Sequence, residues 1–181
     1  MQKVNKTSLN VSITLALLVA ISIISGKFLA FRVGDILRFS FENLPILFAG
    51  VAFGPVAGAL VGIVADLLGC IMVGYTINPI VTLGAAAVGA VAGGSALLLK
   101  KNKLSNRLAL AISVICAHFI GSVVIKTAGL AAFYAMPYFV LTLWRGLNYV
   151  IVGAVEYFIL VALFSSKGVT MQLGKLMGDK K

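Results

Sequence analysis

The stretch FENLPILFAGVAFGPVAGALVGIVADLLG, residues 41–69, holds two apolar runs divided by Gly54-Pro55. Proline has no backbone N–H with which to continue a helix, and glycine reaches conformations closed to other residues, so the pair marks a sharp turn. If the chain doubles back there, the two runs form a hairpin of membrane spans. If it only kinks, they make one long helix. The first reading gives six spans and puts both ends of the chain on one side of the membrane; the second gives five, with the ends on opposite sides.

Charge decides between them. The six spans expected are residues 9–24, 41–53, 56–73, 79–99, 108–125 and 139–164, followed by a cytoplasmic tail over 165–181. A helix needs about 20 apolar residues to cross the hydrocarbon core, and a shorter one is tolerated inside a bundle. With six spans, Lys3 and Lys6, then Lys100, Lys101, Lys103 and Arg107, then Lys167, Lys175, Lys180 and Lys181 all fall on one side. A basic excess marks the cytoplasmic side. The expected fold is therefore an all-α membrane protein, a bundle of six transmembrane helices with N and C termini cytoplasmic. The outer face receives residues 27–38, 74–78 and 126–138, and with them the irregular sequence.

Composition agrees with one compact integral membrane domain: 61% of the 181 residues are hydrophobic and 11% charged. A net charge of +10 can signal nucleic acid, but here the basic residues sit in the gaps between apolar runs rather than on a solvated face. Cys70 and Cys116 lie inside apolar runs at no redox or metal spacing, so no disulfide is expected. The first run has the basic start and apolar centre of a signal peptide, yet it is long enough to span. The glycosylation patterns at Asn5 and Asn10 fall on the cytoplasmic side and read as chance matches.

Little in the chain speaks for catalysis. Gly26-Lys27 lacks the spaced glycine and the following Ser or Thr of a phosphate-cradling loop, so the chain is not expected to hydrolyse ATP. His118, the sole histidine, has no carboxylate nearby in sequence and is expected to bond a neighbouring helix. What remains is a polar set on the outer side. Arg38, Glu42 and Asn43 precede or open span two, Asp66 lies within span three, Tyr75 and Asn78 flank the next turn, and Trp144, Arg145 and Asn148 occupy the outer part of span six. Singly, each has a plainer role: Arg38 and Glu42 as a local ion pair, Arg145 snorkelling, Asp66 tying helices together. Charged residues at membrane depth are expensive, however, and their shared side points to a common pocket. Phe39, Tyr75, Tyr134 and Trp144 are among many aromatics on that same side, which suits a planar ligand. Glu156, near the inner end of span six, is expected outside the pocket.

Residues spaced four apart form small-side-chain stripes: Gly50, Gly54, Gly58 and Gly62; Ala86, Ala90 and Gly94; and Ser8, Ser12, Ala16 and Ala20. Such stripes let helices approach closely.

The segments SFENLPILFAGVAFGPVAGALVGIVADLLG (residues 40–69) and YTINPIVTLG (residues 75–84) resemble the substrate-binding S components of energy-coupling factor (ECF) vitamin transporters, most closely the folate type. The resemblance implies a bacterial plasma-membrane protein that captures folate or a related vitamin from outside. It implies as partners a transmembrane coupling protein, the T component, and two cytoplasmic ATPase subunits, which use the ATP; no cofactor is implied in this chain. The loop over residues 28–37, bending at Gly34, would help cover the site. A carboxylate, Glu42 first and Asp66 second, would read the pterin. Arg38, Lys126 or Arg145 would meet the glutamate carboxylates through charge-assisted bonds, and Phe39, Tyr75 and Trp144 would stack the rings. Ala16 and Ala20 match the family's docking pair for the coupling protein. The alternatives are an S component for another vitamin, such as riboflavin or pantothenate, and a ligand-free structural membrane protein.

Overall fold

The structure, a computed structural model, describes residues 6–33, 37–102 and 104–177, without the side chains of residues 6–8 and 32–38. Gly34, Lys3, Lys103, Lys180 and Lys181 lie outside the described residues, as do the side chains of Arg38, Lys6 and Ser8. Helix α1 covers Lys6–Ile23 and runs on through a wider π-helical turn, Ile24–Phe28. A short antiparallel hairpin follows, β1 (Phe31–Val33) with β2 (Leu37–Phe39), in which Arg32 stands opposite Arg38. The remaining elements are α2 (Asn43–Phe53), α3 (Pro55–Val73), α4 (Pro79–Lys101), α5 (Asn106–Ala117), α6 (Lys126–Tyr134), α7 (Tyr138–Ser165) and α8 (Lys167–Met177). Residues His118–Ile125 are π-helical and join α5 to α6 without a break.

Five stretches are long and apolar enough to cross a membrane: Leu9–Phe28, Pro55–Val73, Pro79–Lys101, Asn106–Tyr134 and Tyr138–Ser165. A further apolar helix, α2, has 11 residues and rises only about 16 Å. Gly54, at φ 97°, ends it, and Pro55 opens α3 at a position where no N–H is needed. A Cβ placed on Gly58 would lie 2.6 Å from the Gly50 Cα, so α2 and α3 lie against each other as a hairpin. The single kinked helix is excluded.

Backbone proximity sets the core. A Cβ on Gly89 would fall on the Gly58 carbonyl, one on Gly62 on the Ala85 carbonyl, and one on Gly50 on the Gly89 carbonyl. Helices α2, α3 and α4 thus touch through glycine and alanine, the close approach that substitutes for a hydrophobic driving force between helices in lipid. The stripe of α4 differs from expectation. Its packing face is Ala85, Gly89 and Gly93, whereas Gly94 meets nothing within 4 Å. Either stripe satisfies the four-residue spacing, and only the partner helices select one.

The outside of the bundle is apolar: Val56, Phe139 and Val150 are more than 70% exposed, as suits side chains bathed in lipid. Polar groups go inward, with Asn43, Ser113, Ser122, Thr127 and Glu156 fully buried. Two segments outside the expected spans are helical. Residues 126–134 continue the fifth span as α6, because no breaker precedes Tyr134. The tail contains α8, an amphipathic helix that buries Leu173 and packs on α1 and α7. The chain ends of α4 and α7, the start of α5 and all of α8 gather the basic residues Lys100, Lys101, Arg107, Lys167 and Lys175 at one end of the bundle. The polar residues of the cavity lie at the other.

The glycine contacts make a paired test. Gly89→Leu should destabilise the purified protein by about 1–3 kcal/mol or more, since a backbone carbonyl cannot retreat as a side chain can. Gly94→Leu should leave the thermal midpoint unchanged. Equal midpoints for the two variants would refute the α3–α4 register.

Candidate functional site

At the end opposite the basic cluster, a cavity of about 370 Å³ opens among α1, α3, α4, α6 and α7. The first span contributes Lys27, the segment before α2 contributes Ser40 and Glu42, and α3 with its following turn contributes Asp66, Cys70, Tyr75 and Thr76. Asn78 and Val81 come from the start of α4, Lys126, Leu130 and Tyr134 from α6, and Arg145, Asn148 and Tyr149 from one face of α7.

Glu42 is fixed at both its backbone and its side chain. Its carbonyl accepts a hydrogen bond from Ser22 Oγ on α1 at 2.6 Å. Its Oε1 lies 3.2 Å from Lys126 Nζ. Gly26 makes room for it: a Cβ there would meet Glu42 Oε2 at 2.8 Å. The Lys126 side chain is 4% exposed and that of Glu42 25%. Lys126 also donates to Asn43 Oδ1 at 3.1 Å. Glu42 thus meets a partner 84 residues away in sequence, while the side chain of Arg38, its partner in the plainer local reading, lies outside the described residues.

A second anchor begins as a local cap. Asn78 sits directly before Pro79 and caps α4, its Oδ1 accepting from Ile80 N at 3.0 Å and Val81 N at 3.4 Å. Its Nδ2 donates to the Gly129 carbonyl at 2.8 Å, tying α4 to α6. Thr82 Oγ1 donates to Asp66 Oδ2 at 2.7 Å, which links α4 to α3 and orients the Asp66 carboxylate. Arg145 Nη2 donates to the Ser122 carbonyl at 3.1 Å, and its guanidinium lies 5.4 Å from the Tyr149 ring centre. Lys27 Nζ lies 5.5 Å from the Tyr75 ring centre, within reach of a cation–π attraction.

Of the residues singled out from sequence, Glu42, Asp66, Tyr75, Asn78, Lys126, Arg145 and Asn148 line the cavity. Asn43 is buried behind it, bonded to Lys126 and to Ser122. Phe39 stacks on Phe31 across the hairpin at 5.2 Å and does not line it. Trp144 does not line it either and is 39% exposed: it sits one residue, about 100° of helix, away from the face that carries Arg145, Asn148 and Tyr149. Sequence reading missed Lys27 and Tyr149. Lys27 passed for the outer end of the first span, and Tyr149 follows Arg145 by four residues, a helical spacing that could have flagged it.

Two other hollows differ in character. One, also about 370 Å³, lies at the basic end beside Lys100 and Arg107; another, about 790 Å³, is an apolar groove between α5 and α7 that faces the lipid side.

A family model described as ECF transporter, substrate-specific component, matches residues 10–166. The chain belongs to that family. This S component is therefore an integral membrane protein and the substrate-binding part of a transporter. Its fold is similar to that in "Structure and mechanism of the S component of a bacterial ECF transporter", at TM-score 0.65 and 24% identity over 86% of this chain and 94% of that one. It is also similar to FolT bound with folic acid, at TM-score 0.63 and 20% identity over 82% of this chain and 88% of that one. No curated protein matches the S component significantly.

The Glu42–Lys126 contact predicts an asymmetry. Glu42→Gln strands a buried ammonium and should cost about 3 kcal/mol of stability, whereas Lys126→Met leaves a carboxylate that reaches the cavity and should cost less. Thermal unfolding of both variants checks this, and a larger loss for Lys126→Met would reverse the assignment.

Proposed function

We propose that this S component binds folate in the cavity among α1, α3, α4, α6 and α7. The observation that carries the reading is one enclosure walled by three tyrosines, Tyr75, Tyr134 and Tyr149, with the carboxylates Glu42 and Asp66 and the cations Lys27, Lys126 and Arg145. Folate needs each class: aromatic faces for its rings, a carboxylate for the pterin N–H groups, and cations for its glutamate tail. The volume lies within the range of small-molecule sites. Similarity of fold to folate-bound FolT supports it.

The geometry favours Asp66 over Glu42 as the pterin reader. Glu42 is occupied by Lys126, while Asp66 forms no ion pair among the described residues and is oriented by Thr82. Arg145 is the tail's partner in this reading, because Lys126 is engaged by Glu42 and Asn43. Titration calorimetry on the purified chain should show folate binding, and Arg145→Ala should weaken folate more than pteroate, which lacks the tail. A charged hydrogen bond of this kind is worth about 1.5–3 kcal/mol. Absence of heat with folate, or copurification of riboflavin or pantothenate in its place, would overturn the folate assignment.

Transport then requires partners. In this reading the basic end faces the cytoplasm, the cavity opens outside, and a T component with two ATPase subunits supplies the energy. Ala16 and Ala20 are exposed on α1, whereas Leu15, Leu18 and Val19 pack on the core. The small-residue face of α1 therefore points away from the bundle and suits the docking of a partner helix. Ala16→Trp and Ala20→Trp should leave folate binding by the isolated chain intact and abolish uptake in cells with the whole transporter. Normal uptake by both variants would remove α1 from the interface.

A further inference from the structure

Behind the cavity a line of buried side chains continues into the bundle. Lys126 donates to Asn43 Oδ1, and Asn43 Nδ2 lies 3.4 Å from Ser122 Oγ. Ser122 Oγ is 3.3 Å from His118 Nδ1, and His118 Nε2 is 2.6 Å from Glu156 Oε2. Asn43, Ser122, His118 and Glu156 are all buried, and Glu156 Oε1 has no hydrogen-bond partner among the described residues. Glu156, expected at sequence level to be a bystander, is thus a wholly buried carboxylate inside the membrane domain. Fastening two helices needs no such group, because hydroxyls and amides do so without a charge.

The donor direction of the first two bonds follows from Lys126. An ammonium only donates, so the Asn43 oxygen accepts and its NH₂ donates to Ser122. The one hydrogen of the Ser122 hydroxyl has His118 Nδ1 as its acceptor in the relay we infer, which puts the proton of the neutral ring on Nε2, facing the Glu156 carboxylate. Add one proton to the His118–Glu156 pair and this order fails wherever the proton resides. An imidazolium donates from both nitrogens. A protonated Glu156 donates to Nε2 and moves the ring proton to Nδ1. Either way Nδ1 turns from acceptor to donor, and Ser122 loses the acceptor for its hydrogen.

We propose that His118 and Glu156 are positioning residues for the cavity, which set its ligand affinity through Ser122, Asn43 and Lys126 without touching the ligand. Ser122 joins a second cavity residue as well, since its carbonyl takes Arg145 Nη2, and the Tyr149 ring lies 4.9 Å from that of His118. Affinity should therefore fall as the pair takes up a proton. The charged and titratable groups around it are Glu42 before α2, Lys126 at the start of α6, and Arg145, Tyr149 and Tyr157 on α7. Asp66 on α3 is bonded to Thr82, and the charges of α4, Lys100 and Lys101, lie at its far end.

The relay can be tested apart from the folate reading on which its ligand arm rests. His118 is the only histidine, so imidazole ¹⁵N spectra report this ring alone. Near neutral pH the Nε2–H tautomer is expected, with Nδ1 gaining a proton on acidification and with Ser122→Ala shifting Nδ1 selectively. An Nδ1–H tautomer at neutral pH overturns the relay. In the second arm, folate affinity is measured at about pH 8 and about pH 5.5 for the unaltered chain, Ser122→Ala and Glu156→Gln. Titration of folate and of the cavity residues cancels in the comparison, and the unaltered chain should lose about fivefold more affinity in acid than either variant, the worth of one hydrogen bond. The same pH dependence in all three overturns the proposal. If Glu156→Gln does not fold, Ser122→Ala carries the comparison; if the unaltered chain binds no folate at either pH, the folate reading fails and the tautomer decides the relay.

Discussion

A single ammonium inside the membrane domain organises the ligand end of this molecule. Lys126 is almost wholly buried, and an unpaired charge at that depth is costly, so the fold must bring it a counter-charge and an acceptor. Glu42 arrives from the start of α2 and Asn43 from the next residue along. Gly84 on α4 leaves the space, since a Cβ there would meet Lys126 Cγ at 2.5 Å. The π-helical stretch His118–Ile125 sets the helical phase of Lys126, whose backbone N–H bonds to the Gly121 carbonyl five residues back. Such π segments recur at functional sites because an inserted residue re-aims the side chains of the next turn.

The bundle divides its work between two kinds of contact. Helices α2, α3 and α4 meet backbone to backbone through Gly50, Gly58, Gly62 and Gly89, a surface with no rotamers to rearrange. Across the cavity, α6 is also tied to that core by polar bonds, Asn78 to Gly129 and Lys126 to Glu42 and Asn43. The second wall of the cavity thus adds hydrogen bonds to close packing, since a Cβ on Gly129 would lie 2.9 Å from Ile80 Cβ.

Motif and topology are legible in the chain for definite reasons. Gly54-Pro55 turns the chain because one residue takes positive φ and the other lacks an N–H, both local properties. The Asn78-Pro79 cap is local for the same reason. Apolar run length and the excess of basic residues on one side give the spans, since lipid and charge act on each segment separately. Residues 126–134 look irregular in the sequence because a lysine and two small residues interrupt the apolar run, yet none of them breaks the helix.

The sequence by itself determined the membrane class, the six apolar helices, the α2–α3 hairpin and the clustering of polar residues toward one end. It did so because hydrophobicity, turn chemistry and charge are properties of short segments. Only the tertiary structure decided which charges meet. Lys126 and Glu42 are 84 residues apart and His118 and Glu156 are 38 apart, so no local spacing pairs them. It also decided that α4 packs through Ala85 and Gly89 rather than Ala86 and Ala90, and that Arg145 lines the cavity while Trp144 does not. A helix presents every side chain to some neighbour, and which neighbour depends on rotation about its axis, a quantity settled by packing against the other helices and written in no single segment.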